Sequence, residues 1–303
     1  MNMNAHHRFH GIYPMLYAFF DAKGGIDREA MERQIEFCLE SGVQGVATLG
    51  LATEVDKLSA AERHQILDIT ATRLAGRVPL SVTVFGNSVD EQVEFCHAAE
   101  AAGADWAVLQ PPRIKGLSET DCRDFFGAVM ARVALPVGIQ NAPEFLDVSL
   151  TIESIEWLRQ RHEHFIILKG EGPVTAIAEV VTAIGGEIAV FNGRNGLELP
   201  DNLRAGCAGL IPSPGTGDLQ AKVYRLMSKG TADAEAEAER LYRNILPLLI
   251  FEMQSLESLW CYGKRIVARR LGLPAVHDRT PGQAPTPFGM AVAIRHADRL
   301  FSD

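Results

Sequence analysis

A lysine closes the apolar run Phe165-Ile166-Ile167-Leu168-Lys169, and Gly170-Glu171-Gly172 follows it. A short apolar run ending at a glycine-rich turn reads as a buried strand. A lysine at its C-terminal end stands where a hydrophobic interior meets an open mouth. Partial burial there disfavours the ammonium and favours the free amine. A free amine attacks the carbonyl of a keto acid and forms a Schiff base. Glu171 lies two residues further on, and in an extended segment residues i and i+2 face the same side. The two side chains can therefore share a pocket, an amine nucleophile beside a carboxyl that carries protons. The plainer readings are a lysine that closes a strand and reaches solvent, and a glutamate that pairs with a rim or interface arginine.

Such a pair needs a frame, and the chain supplies a regular one. Strand-like runs occur at Ile12–Phe20, Val43–Gly50, Pro79–Gly86, Asp105–Pro111, Pro136–Pro143, Phe165–Gly170, Ile188–Gly193 and Gly209–Ser213. Helical periodicity fills the gaps, as in Arg28–Glu40, Ala60–Leu74, Val89–Ala102 and Glu119–Val133. Ser59-Ala60-Ala61-Glu62 has the form of a capping box. Ser118 and Asp218 are placed as further N-caps, and Gly42, Gly76 and Gly103 fall where helices should end. Strand-then-helix repeated eight times predicts an α/β protein, a (β/α)8 TIM barrel of parallel strands. A doubly wound open sheet is the alternative, but no Gly-x-Gly-x-x-Gly follows the first strand. After about residue 232 the pattern changes: Ala234–Arg270 and Met290–Phe301 read as helices, with a Pro/Gly-rich stretch, Pro274–Pro287, between them. Residues 1–232 are therefore read as the barrel, and residues 233–303 as a helical C-terminal extension packed beside it. In such barrels the active site lies at the C-terminal strand ends. These are Leu49–Glu54, Gln110–Arg113, Gln140–Pro143, Lys169–Gly172, Asn192–Asn195 and Ile211–Gly215.

At these ends the chain resembles the dihydrodipicolinate synthase / N-acetylneuraminate lyase family of Schiff-base aldolases and dehydratases. The residues that carry the resemblance are Gly42-Val43-Gln44-Gly45 leading to Gly50-Leu51-Ala52-Thr53-Glu54, then Leu58-Ser59-Ala60-Ala61-Glu62-Arg63. They continue with Pro136-Val137 leading to Asn141-Ala142-Pro143, Lys169, and Gly206-Cys207-Ala208-Gly209-Leu210-Ile211-Pro212-Ser213. The resemblance implies that Lys169 is the Schiff-base lysine, and that the barrel with its helical tail assembles as a homotetramer, a dimer of dimers. The chain also departs from the family pattern. The loop after strand two lacks hydroxyls at its second and third positions, Leu51 and Ala52, and Thr53 supplies one a place later. Gln140 stands where the family has a proton-relaying tyrosine, and glutamine has no titratable proton. Arg113 stands at the place of a second tyrosine, and Phe145 at that of a substrate-carboxylate arginine. Authentic dihydrodipicolinate synthesis is not expected from such a site.

Glu171, with Gln-x-Ala-Pro in strand five, resembles the branch that dehydrates 2-keto-3-deoxy sugar acids. Chemistry is assigned to Lys169, Glu171 and Gln140, the last as a group that orients a water or substrate oxygen. Substrate binding is assigned to Ala52, Thr53, Arg113, Gly193, Arg194, Asn195 and Ile211. Loop amides near Ala52 can hold a carboxylate as turn amides do, and Arg113 and Arg194 are candidate clamps for a second one. Glu54 is expected to stabilise its loop by accepting backbone N–H bonds. Asn141 and Pro143 are expected to shape their turn, and Ser213 and Thr216 to sit by an anion-binding loop.

The expected activity is therefore a lyase on a small-molecule 2-keto acid, a dehydratase first. A pyruvate-dependent aldolase of the same family is the alternative. A keto-acid-binding protein without catalysis is the alternative of another class. No cofactor beyond the covalent imine on Lys169 is called for. His162 and His164, two apart, are a weak metal signal and read as loop histidines; no metal is expected. With 303 residues, a net charge of −9 and no long basic block, nucleic acid and anionic membranes are poor partners. No apolar run reaches the length of a membrane span, and Met1–His10 lacks a signal peptide's apolar core. Five scattered cysteines without paired spacing suit a reduced cytoplasm.

Overall fold

Eight short parallel strands alternate with eight helices in the computed structural model, which describes residues 8–184 and 186–301. Residues 1–7, most of the segment read for a signal peptide, lie outside the described residues. The strands are β1 (Gly11–Ile12), β2 (Val46–Thr48), β3 (Leu80–Val84), β4 (Trp106–Leu109), β5 (Val137–Asn141), β6 (Phe165–Gly170), β7 (Ala189–Asn192) and β8 (Gly209–Leu210). The intervening helices are α1 (Arg28–Glu40), α2 (Ala60–Leu74), α3 (Val89–Ala101), α4 (Glu119–Met130), α5 (Ile152–Arg159), α6 (Val174–Ile184), α7 (Leu199–Arg204) and α8 (Gly217–Met227). Each strand pairs in parallel with its neighbour in sequence from β2 to β8, and β8 pairs with β1. A bridge between Met15 and Ala47 joins the chain after β1 to β2, so the ring closes as a TIM barrel.

The first strand is much shorter than the apolar run Ile12–Phe20 suggested. Pro14 has no N–H to give a ladder, and beyond it the chain is buried but pairs only at single points, such as Leu16 N–H to the Ala47 carbonyl at 2.8 Å. Burial on all sides, not pairing, selected the apolar residues there. Inside the ring, Tyr13, Trp106 and Phe191 pack with ring centroids 5.4 to 5.6 Å apart. A Cβ on Gly45 would stand 2.0 Å from the Tyr13 ring, so the layer depends on the bare backbone there.

The caps follow local chemistry closely. Ser59 accepts the Glu62 N–H while Glu62 reaches back to Ser59, a complete capping box. Ser118 accepts the Asp121 N–H. Asp218 does not cap; it lies in the first turn of α8 and forms a two-pronged pair with Arg270 at 2.7 and 2.9 Å. Gly42, Gly76 and Gly103 end their helices with positive φ. All five cysteines are buried and unpaired, and burial pushes the thiols of Cys38, Cys96, Cys122 and Cys207 up to about 12, which leaves them unreactive.

After the barrel come α9 (Ala232–Glu252), the single turn α10 (Leu256–Ser258), a π-helical turn over Leu259–Gly263, α11 (Lys264–Arg270) and α12 (Pro287–Phe301). The stretch Ala234–Arg270 is thus helical but broken, with the chain unwound at Met253–Ser255. This extension crosses the barrel mouth. Trp260 Nε1 donates to the Leu51 carbonyl at 2.9 Å, and fully buried Lys264 pairs with Glu54. Glu54, at a left-handed φ of 58°, is also held by Lys57 at 2.6 Å. Its loop is therefore fixed by two ammonium groups and not by the backbone N–H bonds expected from sequence. Breaking a buried ion network from one side is costly, because Glu54 is then left with Lys57 as its sole ammonium partner among the described residues and one carboxylate oxygen loses its donor. Lys264→Met is expected to lower stability by about 3 kcal/mol, read as a shifted urea midpoint at unchanged slope. A shift no larger than that of an exposed surface substitution would show the pair to be dispensable.

Candidate active site

The β5–β6–β7 register sets Gln140, Lys169 and Phe191 side by side, and neighbours in register leave a sheet on one face. Lys169 thus rises beside the aromatic layer that Phe191 joins, and it is buried. Its Nζ lies 2.8 Å from Glu171 Oε1. Glu171, also buried, is turned to the lysine by two constraints. Gln140 Nε2 donates to the same Oε1 at 2.6 Å, and Gln110 Nε2 holds Gln140 Oε1 at 2.8 Å. A Cβ on Gly193 would stand 2.7 Å from Glu171 Cγ, so glycine at that position leaves room for the carboxylate. The i, i+2 spacing therefore does bring the Lys169 amine and the Glu171 carboxyl together. Gln140 stands behind Glu171 and positions the carboxylate, not a water or substrate oxygen. Gly193 lies under Glu171 and serves its placement.

Around this pair is a cavity of 30 Å³. Ala52, Arg194, Asn195 and Ile211 line it, as expected. Met15, Phe145, Ser213 and, from the extension, Met253, Leu256 and Leu259 line it too. Of these, Phe145 and Ser213 stood out in the sequence; the extension's residues gave no local signal, because a helix 80 residues downstream does not announce what it covers. Among the described residues, the N–H groups of Leu51 and Ala52 have no hydrogen-bond acceptor, whereas those of Thr53 and Glu54 close turns onto Gly50 and Leu51. Leu49 and Glu54, which flank this loop, both hold left-handed φ. Strain of that kind persists where the surroundings impose it, and active sites concentrate it.

Two assigned binding residues, Thr53 and Arg113, do not line the cavity, and a third, Arg194, is already paired there. Thr53 is fully buried and its hydroxyl donates to the Leu16 carbonyl at 2.6 Å, so it fixes the loop and faces away from the cavity. Arg113 is half exposed, pairs with Asp56 at 3.2 Å and lines a separate outer pocket of 320 Å³ with Pro111, Ile114 and Leu117. Phe145 lines both pockets and stands between them. Arg194 does reach the cavity, but Glu144 at 3.2 Å and Glu198 at 2.9 Å neutralise it. Thr216 accepts from Gln220 at 2.9 Å, which accounts for its hydroxyl. Asn141 clasps Leu150 through two backbone bonds at 2.8 and 3.0 Å and shapes the turn after β5, as expected. His162 and His164 precede β6, and among the described residues no cluster of three His, Cys, Asp or Glu side chains could hold a metal ion. No described helix is long and apolar enough to cross a membrane.

A parallel barrel with a buried lysine and carboxylate at the C-terminal end of its sixth strand has the parts that an imine-forming lyase requires. The model of the dihydrodipicolinate synthetase family matches residues 8–282, and the chain belongs to that family. It is 27% identical over 246 residues to the "Probable 2-dehydro-3-deoxy-D-pentonate aldolase" of Escherichia coli (strain K12), covering 80% of this chain and 81% of that protein. It is 25% identical over 230 residues to the 4-hydroxy-tetrahydrodipicolinate synthase of Bacillus velezensis, covering 76% and 79%. The solved sialic acid aldolase of Ruminococcus gnavus shares the fold at a TM-score of 0.88 and 22% identity, over 97% of both chains. The chain is an enzyme of this family, a lyase, and its relatives are named as aldolases and synthases.

Proposed function

We propose that the protein dehydrates a 2-keto-3-deoxy sugar acid through an imine on Lys169, with Glu171 as its proton carrier. The observation that carries this reading is the 2.8 Å approach of Lys169 Nζ to Glu171 Oε1, both lining the cavity at the strand ends. Glu171 is the carboxylate within salt-bridge distance of Lys169 among the described residues, and no tyrosine lines the cavity. Glu171 takes a proton from the lysine, and the free amine attacks C2 of the keto acid. Glu171 returns that proton to the C2 oxygen, which leaves as water; this gives the protonated imine, restores the Glu171 carboxylate and acidifies C3. Glu171 then removes the C3 proton and returns it to the C4 hydroxyl, which leaves as water. Hydrolysis of the unsaturated imine frees the product and restores the amine. The keto-acid carboxylate is assigned to the N–H groups of Leu51 and Ala52. With Arg194 already paired to two acids, a second substrate carboxylate has no free cation in the cavity, so the substrate tail is neutral and hydroxylated.

Cleavage between C3 and C4 is the second reading, and the likeness to the Escherichia coli relative named as an aldolase favours it. The two part at the imine: a dehydratase expels the C4 hydroxyl, an aldolase expels the C4 carbon. Five- and six-carbon 2-keto-3-deoxy acids, followed by proton NMR, are expected to yield a dehydrated keto acid without pyruvate. Pyruvate plus an aldehyde would overturn dehydration in favour of the aldolase. Assembly as a tetramer is part of the proposal, and light scattering at working concentration tests it.

A further inference from the structure

Glu252 takes part in no step above. It ends α9 and is fully buried. Its Oε2 accepts from Asn195 Nδ2 at 2.7 Å, and its Oε1 has no partner among the described residues. Asn195 Oδ1 accepts the Ser213 N–H at 2.9 Å. Asn195 and Ser213 both line the cavity beside Lys169, as does Met253, the residue after Glu252. Asn195 holds a left-handed φ of 56°, which asparagine adopts more readily than most residues. The two hydrogen bonds, one to the extension and one to the chain after β8, fix its side chain. A buried carboxylate with an unpaired oxygen is far costlier than the neutral acid. Burial accordingly pushes the Glu252 carboxyl up to about 7, and the Asn195 bond pulls against it. Tyr17 faces it from the chain after β1, its phenol pushed up by burial and by Glu252 itself. Among the described residues no cation lies within salt-bridge distance of Glu252; the extension's buried Lys264 and partly buried Arg270 hold Glu54 and Asp218 instead.

We propose that Glu252 is a positioning residue for the anionic keto acid: its neutral carboxyl holds Asn195, and through it the Ser213 backbone, in the cavity wall, and its ionised form weakens substrate binding. The mechanism is electrostatic. The substrate enters as a carboxylate, and an unpaired negative charge behind Asn195 repels it in a poorly screened interior. The inference rests on the proposed function only in taking a 2-keto acid as ligand.

The test is pyruvate capture by borohydride, titrated in pyruvate between about pH 6 and about pH 8.5, for the wild type, E252Q and E252A. Glutamine keeps the acceptor for Asn195 and cannot ionise. The half-saturating pyruvate concentration of the wild type is expected to rise about tenfold more than that of E252Q across this range. At the acid end the two should agree within about twofold, while E252A needs about tenfold more pyruvate throughout and reaches the same final labelling. Equal pH dependence in the wild type and E252Q overturns the proposal, as does E252A binding like the wild type. Should E252A not fold, the comparison with E252Q decides alone. Failure of the wild type to be labelled at any pH would instead sink the imine reading; calorimetric pyruvate binding, with the same pH comparison, then still tests Glu252.

Discussion

Lys169→Ala is expected to abolish turnover, with kcat falling by about 10,000-fold or more, and to leave no borohydride-stable adduct on the chain. The size of the effect follows from covalency. Other groups in the cavity bind or move protons, but Lys169 forms the bond that makes C3 acidic, and no second amine lines the cavity. Loss of activity alone would not prove the role, because the substitution strands Glu171 with only Gln140 as donor. Intact-mass analysis after reduction separates the two causes. The wild type gains one substrate-derived mass on the peptide carrying Lys169, and the variant gains none while its circular dichroism stays native. A variant that keeps full turnover ends the imine mechanism.

Glu171→Gln is the complementary case. The substitution preserves shape and the Gln140 bond, so the cavity wall stays in place. It removes the proton carrier, and general acid–base groups contribute about 100- to 10,000-fold. The expected result is a drop of about 1,000-fold in kcat with pyruvate still trapped on Lys169. The substitution leaves the Lys169 side chain and the strand that carries it intact, so capture persists. Turnover above a tenth of the wild type would hand the proton steps to another group.

Much of this was legible along the chain. β6 begins and ends where its apolar run does, and the two-residue spacing of Lys169 and Glu171 predicts their contact because strand geometry is local. Ser59 and Glu62 form their box because both partners lie within one turn. What could not be read was set by distant packing. Thr53 turns to Leu16 because the chain after β1 runs against its loop. Arg113 sits in the outer pocket because Asp56 and Phe85, both remote in sequence, draw its guanidinium there. The apolar run after Ile12 imitates a strand because burial on all sides selects the same residues as sheet pairing does. Glu252 was hidden for a similar reason: a glutamate at the end of an amphipathic helix normally reads as solvated, and its burial depends on a docking partner some 57 residues back.

The cavity has two separate contributors along the chain. The strand ends supply Lys169, Glu171 and the loop of Leu51 and Ala52; the extension supplies the ceiling, through Met253, Leu256 and Leu259, and the struts Trp260 and Lys264. Reaction type and substrate size are thereby inherited through different stretches of sequence. Drift in α10 and the π-helical turn can raise or lower the ceiling without disturbing the Lys169–Glu171 pair, so one chemistry can be refitted to longer or shorter acids. The same division means that the cavity wall is complete only when the tail has docked.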